Sequence, residues 1–458
     1  MDLDEVFSIP ISLVATTTLA AVVILAIAVL VHDRKRSSYH PVGGSIFQQM
    51  KNMHRIQDFR IDIVRKHKTY RFPGFLGSTS QVLTVDPVNV EYMLKTNFAN
   101  YGNELNSLCG FWSVHNLIPS KHILFVPFEF QRWSNDITLI DLLGEGIFNV
   151  VGEKWHHQRK LTSYEFSTKT LRDFSNKVSK ANAIKLARIL ADQAVASNRS
   201  IDIQDLFEKA TLDSAFKAIV GVELDVMCGT FEEVPQHWIG GIIEEAYKRV
   251  MGGKDTISAA LSFVFYMMCK HPDIQEKIAK EVIEATQVNQ NSSFDELAAS
   301  INENTPHKMQ YLHAALTETF RLYPPLPADG KVCFSDDTMP DGFRVDKGDL
   351  VLYLPYAMGR MEFLWGNDAE EFRPEWLGES GRFHPESPFK FTTFQAGPKI
   401  CLGKEFAYRQ LKIFCMILLA SYVFKLNDEN EEVKYDSSLT LTFVGGLHLI
   451  ATPRVIHV

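Results

Sequence analysis

The sequence lacks the marks of a cross-linked or divided protein. Its six cysteines, Cys109, Cys228, Cys269, Cys333, Cys401 and Cys415, form no CxxC pair. Their spacing gives neither a zinc site nor a disulfide framework, which fits a reducing compartment. The single Asn-x-Ser sequon, Asn291-Ser-Ser293, is then not expected to carry sugar. There is no Pro/Gly/Ser-rich linker, low-complexity block or internal repeat. Length alone, 458 residues, suggests about three domains, but without linkers the chain reads as one large unit. An excess of basic residues is also missing. Lys and Arg total 47 against 55 Asp and Glu, a formal net charge of −8, which excludes nucleic acid as the main partner. With 46% apolar residues the chain can bury a sizeable core.

One long stretch lacks charge altogether. Ile11 to Val31 holds 21 uncharged residues, and Asp33-Arg34-Lys35-Arg36 follows. At ~1.5 Å per residue that run spans a bilayer as a helix, and the basic flank stays on the cytosolic side. Acidic residues come before the run, unlike a cleaved signal peptide. We expect a membrane anchor and basic flank over 1–36, a hinge over 37–44 and a single domain over 45–458.

Within that domain, Thr69–Phe72 and Gln81–Val85 read as strands, and Asp86-Pro87 as an N-cap followed by proline at the first helical position. Helices are predicted over about 168–196 and 203–220. Ser293-Phe-Asp-Glu296 is a capping box, and Thr305-Pro306 is read as capping the helix that carries Glu318 and Arg321. The apolar run from Ile257 to Met268 predicts a buried helix ended by His271-Pro272, and 404–422 another helix. Leu439–Phe443 and Gly445–Ile450 read as a hairpin. The expected class is mainly α with small β sheets (α+β).

Four groups of residues carry candidate chemistry. In Phe394-Gln-Ala-Gly397-Pro-Lys399-Ile-Cys401-Leu-Gly403, glycines flank a cysteine and a cation lies two residues before it. A cysteine that ligates iron must be a thiolate and needs N–H groups or positive charge nearby. Gly397 and Gly403 let the backbone bend close to a flat cofactor, Phe394 walls one side, and Lys399 neutralises a carboxylate at its edge. The plainer reading is an inert buried cysteine. Trp155 and Arg159 share a helix face and suit a carboxylate clamp, or plain packing. Gly252-Gly253-Lys-Asp255-Thr256 is either a notch of small residues or a helix start capped by Asp255. Glu318 and Arg321, three apart among apolar residues, are a buried pair or a solvated one.

The decapeptide around Cys401 resembles the haem-binding loop of the cytochrome P450 monooxygenases, and the other three groups follow the same family's order. The resemblance implies the cytochrome P450 fold, haem b ligated by Cys401, and electrons from NADPH through a membrane reductase. Trp155 and Arg159 would grip haem propionates. Thr256 would hydrogen-bond dioxygen, Asp255 would relay protons, and Glu318 with Arg321 would lock the core behind the cysteine loop. Phe394 to Gln410 is most similar to plant cytochromes that hydroxylate long-chain fatty acids near the terminal carbon. A lipophilic substrate and an endoplasmic reticulum membrane location facing the cytosol follow from it. The reductase would dock near Lys154, Lys160, Lys399 and Lys404.

The chain departs from that pattern in three places. Residues 107–140 read as an insertion, through intron translation or as a membrane-facing loop. Near 229–251 the helices that roof the substrate pocket, and the first half of the long helix before Gly252, are expected to be missing. The family's proline-glutamate-arginine segment reads Phe372-Arg-Pro-Glu375 here, so the Glu318–Arg321 pair is expected to be half-satisfied. These departures keep a non-catalytic, splice-type product open as an alternative. A haem-thiolate isomerase or dehydratase of hydroperoxides is another, and the Asp255-Thr256 pair speaks against it.

Overall fold

The computed structural model describes residues 43–44, 46–73, 80–102, 146–195, 199–219, 221–229, 242–288, 292–374, 382–429, 434–437 and 439–454. The apolar run 11–31 and the 107–140 segment lie outside these. Among the described residues no helix is long and apolar enough to cross a membrane.

The helices that place the site are α1 (Ile56–Val64), α2 (Gly152–Ser167), α3 (Lys169–Ile189), α4 (Ile203–Ile219), α5 (Ile242–Lys270), α6 (Pro272–Thr286), α7 (Phe294–Ser300), α8 (Gln310–Leu322) and α9 (Lys404–Ser421). Their ends follow local chemistry. Thr168 caps α3 by accepting the Leu171 N–H at 3.3 Å. Ser293 and Glu296 close a reciprocal capping box at α7. Asp86 accepts the Val88 N–H at 2.9 Å at the start of the short helix Pro87–Glu91, as expected.

Strands are β1 (Thr69–Phe72), β2 (Gln81–Thr84), β3 (Tyr101–Gly102), β4 (Ile201–Asp202), β5 (Asp329–Cys333), β6 (Asp337–Thr338), β7 (Arg344–Val345), β8 (Leu350–Tyr353), β9 (Tyr422–Leu426), β10 (Tyr435–Ser437), β11 (Leu441–Phe443) and β12 (His448–Pro453). The largest sheet has the order β1-β2-β8-β5-β3, with β2 and β8 parallel and the other pairs antiparallel.

α5 is the central element. From Ile257 to Met268 its apolar side chains are buried nearly all round, the mark of a helix enclosed by neighbours. Phe263 stacks on Phe443 and Tyr323 at 4.4 and 4.8 Å, and Phe265 meets Phe207 and Phe424 at 5.0 and 4.9 Å. These contacts fix α5 against α4, α8, β9 and β11. A continuous buried run from Leu411 to Ala420 seats α9 beside it.

Three expectations need correction. The long helix does not start at Gly252. It starts at Ile242, so Gly252–Thr256 lies in a helix interior and Asp255 is no N-cap. The first half of that helix is therefore not missing. Thr305 and Pro306 belong to a separate one-turn helix, Thr305–Lys308, and α8 begins afresh at Gln310. The closing segments do not pair with each other: β11 pairs with β10, and β12 pairs with β9 and β4.

Candidate functional site: a cysteine loop beside a buried cation cluster

The cysteine loop folds back on itself. The Cys401 N–H donates to the Phe394 carbonyl at 2.8 Å, and a 3₁₀ turn spans Gly397–Lys399. Gly397 has φ +64, and a Cβ there would stand 2.1 Å from the Leu94 carbonyl oxygen, so the loop's close approach to that backbone requires glycine. Gly403 lies at the start of α9, where a Cβ would make only ordinary contact, 3.8 Å from Cys401 Sγ. Its contribution is its N–H. The N–H groups of Gly403 and Lys404, at the positive end of α9, bond to the Cys401 sulfur. Cys401 is exposed on this loop. The protein packed round its sulfur still pushes the thiol pKa up; the Gly403 N–H, the Arg159 and Lys404 charges and the Lys404 N–H pull it back. On balance the loop holds Cys401 as a thiol, and its N–H groups and cations ease the loss of that proton to a metal ion. Phe394 packs edge-on against Phe320 at 6.0 Å and against Tyr408 at 5.3 Å.

Next to the loop, α2 presents Trp155 and Arg159 one turn apart, as the spacing predicts. Trp155 is buried against Phe98, with ring centres 5.7 Å apart. The Lys399 ammonium stands over the indole at 5.2 Å. That ammonium is buried and has no hydrogen-bond acceptor among the described residues. Burial, followed by the nearby Lys331 charge, lowers its pKa to about 8. Lys399 is therefore part of the interior and not of a docking surface, which corrects that expectation. Lys154 and Lys160 are exposed.

Sequence reasoning missed Lys331. Its side chain is fully buried and its Nζ has no hydrogen-bond acceptor among the described residues; Asp329 Oδ1 is 3.7 Å away. Lys331 and Lys399 are far apart in sequence, and only the fold brings them together. Alternation along β5, which sends Lys331 to one face of the strand, was the available signal. Two buried ammonium groups without a hydrogen-bond acceptor among the described residues, near a guanidinium and with only Asp329 close by, are costly unless a further anion meets them. A flat iron cofactor with two carboxylates at its edge would fit this arrangement, and Cys401 is the residue placed to hold its iron.

On α5, Thr256 Oγ1 donates to the Gly252 carbonyl at 2.8 Å, and Asp255 forms an ion pair with Lys254 at 2.9 Å. A Cβ at Gly252 would reach the Phe148 ring at 3.1 Å, whereas one at Gly253 would meet no described atom within 4 Å. The notch is therefore narrow at one glycine and open at the next.

The Glu318–Arg321 pair is buried and complete. Arg321 Nε and Nη2 donate to the two Glu318 oxygens at 2.8 and 2.7 Å. The remaining guanidinium donors reach the carbonyls of Gly359, Ala369 and Glu371. The Arg373 N–H supplies a further donor to Glu318 at 2.9 Å. Backbone groups thus take the place of the expected arginine, and the pair is not half-satisfied. The Arg373 side chain pairs with Asp368 instead.

The family model for cytochrome P450 matches residues 120–250 and 239–447. The chain is 37% identical to cytochrome P450 704C1 of Pinus taeda, over 92% of this chain and 94% of that protein. It is 31% identical to cytochrome P450 704B1 of Arabidopsis thaliana, over 90% and 94%, and 28% identical to cytochrome P450 94A1 of Vicia sativa, over 81% and 82%. An enzyme class built on iron–thiolate chemistry is what the loop and the cation cluster suit, and the chain belongs to the cytochrome P450 family. Members of this family are monooxygenases that use haem iron, hydrophobic substrates and electrons delivered from NADPH by a reductase.

Proposed function

We propose that this chain hydroxylates a long-chain fatty acid near its terminal carbon, at the cytosolic face of the endoplasmic reticulum, anchored through residues 11–31. The observation that carries the site assignment is the Cys401 sulfur facing the Gly403 and Lys404 N–H groups, beside the buried Lys331 and Lys399 ammonium groups, which find no hydrogen-bond acceptor among the described residues. Cys401 would hold the iron, and Arg159, Lys331 and Lys399 would hold the haem carboxylates, with Trp155 packed beneath Lys399. Haem, when bound, supplies activation of dioxygen and insertion of one oxygen atom into a C–H bond. The remaining work belongs to the chain. Thr256 turns its hydroxyl from Gly252 toward dioxygen, and Asp255 hands on a proton once it parts from Lys254. Gly253 leaves the space beside α5, and Phe148 narrows it at Gly252. Glu318 and Arg321 keep the cysteine loop rigid from behind. The reductase docks through exposed Lys154 and Lys160. The fatty-acid reading is supported by the resemblance of residues 394–410 to plant hydroxylases of that class.

The test is the absorption spectrum of the reduced protein under carbon monoxide, followed by turnover of C12 to C18 fatty acids with a plant reductase. A strongly red-shifted Soret band that disappears in Cys401→Ala is expected, together with products hydroxylated at or near the chain end. The same band in Cys401→Ala refutes the ligand assignment. A normal band without fatty-acid products refutes the substrate assignment.

A further inference from the structure

One carboxylate ties the cation cluster to the cysteine loop. Side chains alternate along a strand, so Asp329 and Lys331 leave the same face of β5. Gly330 between them lies against β8, where a Cβ would stand 2.5 Å from Leu352 Cδ2 and 3.0 Å from the Val351 carbonyl. The β5–β8 register sets Asp329 opposite Tyr353. The Tyr353 hydroxyl donates to Asp329 Oδ2 at 2.6 Å, and the Gly330 N–H donates to Oδ1 at 2.7 Å. The Gln395 side-chain amide donates to Oδ2 as well, and it comes from inside the cysteine loop. Gln395 holds φ +56, a left-handed conformation that costs a non-glycine residue ~1 kcal/mol. Its bond to Asp329 holds that bend, which leads into Gly397 and Lys399.

Charge completes the picture. The half-buried carboxylate of Asp329 lies 3.7 Å from the Lys331 ammonium and also acts on Lys399, which has Arg159 as a further positive charge nearby. A ligand bearing two carboxylates makes this group neutral.

We propose that Asp329 is a positioning residue for the cofactor's carboxylate end: it ties Lys331 to the cysteine loop through Gln395 and supplies the internal negative charge that sets the site's electrostatic balance. The proposal rests on the reading of Arg159, Lys331 and Lys399 as the seat for haem carboxylates. It adds a role for two residues that touch neither iron nor substrate.

Two variants separate the parts of this role. Asp329→Asn keeps the shape and an acceptor for Tyr353 but removes the charge. Losing a negative charge favours the reduced cofactor. The expected change is about threefold in the ferrous-to-ferric ratio, which is ~28 mV upward at 59 mV per tenfold for one electron. Gln395→Leu keeps the charge and cuts the tether. It is expected to speed haem release to excess apomyoglobin about tenfold, the loss of one charge-assisted hydrogen bond, with the potential unchanged. Wild type that holds no haem would defeat the underlying reading. Wild type with a normal haem spectrum, together with Asp329→Asn at wild-type potential and Gln395→Leu at the wild-type release rate, would overturn this proposal alone. If Asp329→Asn does not fold, Gln395→Leu decides: wild-type release overturns the tether.

Discussion

Arg373 donates its backbone N–H to the Glu318 carboxylate at 2.9 Å while its guanidinium turns away to Asp368. What the position supplies to the buried pair is therefore main chain. Arg373→Ala should change stability by less than ~1 kcal/mol, as for exposed ion pairs. Glu318→Ala should cost roughly 3–5 kcal/mol, because it strands the Arg321 guanidinium in the interior. Urea denaturation of the two variants side by side checks both. Equal losses would mean that the Arg373 side chain carries the network after all.

The loop's tightest point is Gly397 against the Leu94 carbonyl. Gly397→Ala requires both a positive φ and displacement of backbone. It should lower the denaturation midpoint by an amount equivalent to at least ~1–2 kcal/mol, and it should reduce haem retained through purification. Gly403→Ala, at ordinary contact distance and negative φ, should retain wild-type haem content. Comparison of haem-to-protein ratios tests the contrast.

His313 is half-buried between Tyr408 and Phe383, each ring 4.3 Å away, and its buried Nδ1 has no hydrogen-bond partner among the described residues. Burial, with the Lys412 and Lys404 charges behind it, lowers its pKa to about 3. The unfolded chain protonates this histidine near pH 6.5 and the folded chain does not. The stability it confers is present above pH 6.5 and is lost as the pH falls toward 3. The slope is up to ~1.4 kcal/mol per pH unit in that window. His313→Phe should flatten the loss between pH 6.5 and 5, read from urea midpoints across that range. An unchanged slope would remove His313 as its source.

Thr256 spends its hydroxyl on the Gly252 carbonyl inside α5, a bond that helix stability does not need. Thr256→Ala should leave the denaturation midpoint within ~0.5 kcal/mol of wild type, alanine being the better helix former. Oxygen consumption should continue while hydroxylated product per oxygen falls severalfold. Unchanged coupling, measured with an oxygen electrode and product quantification, would take Thr256 out of the chemistry.

Local chemistry was legible where it is local. Asp86 with Pro87, Ser293 with Glu296, and Trp155 with Arg159 are each decided within a turn of helix, and each stands where the sequence put it. The errors share one cause. Gly252 and Gly253 each disfavour helix by ~1 kcal/mol, so a helix start was one of the two readings there, but packing along α5 overrides that preference. Leu439–Phe443 and Gly445–Ile450 read as a hairpin, yet β12 pairs with β4 and β9. Lys331 and the backbone donors to Glu318 were invisible because their meaning depends on residues brought near by the fold. Residues 1–42 and 103–145, which hold the anchor and the whole of the expected insertion, lie outside the described residues.

The parallel pairing of β2 with β8 has a consequence for synthesis. Residues 81–84 find partners at 350–353, after most of the chain has left the ribosome. Until then the inner edge of the β1–β2 ribbon has no neighbour, and its backbone groups are open to other chains. A nascent chain of this protein is therefore most exposed to misassembly late in translation, and slow decoding before residue 350 would lengthen that exposure.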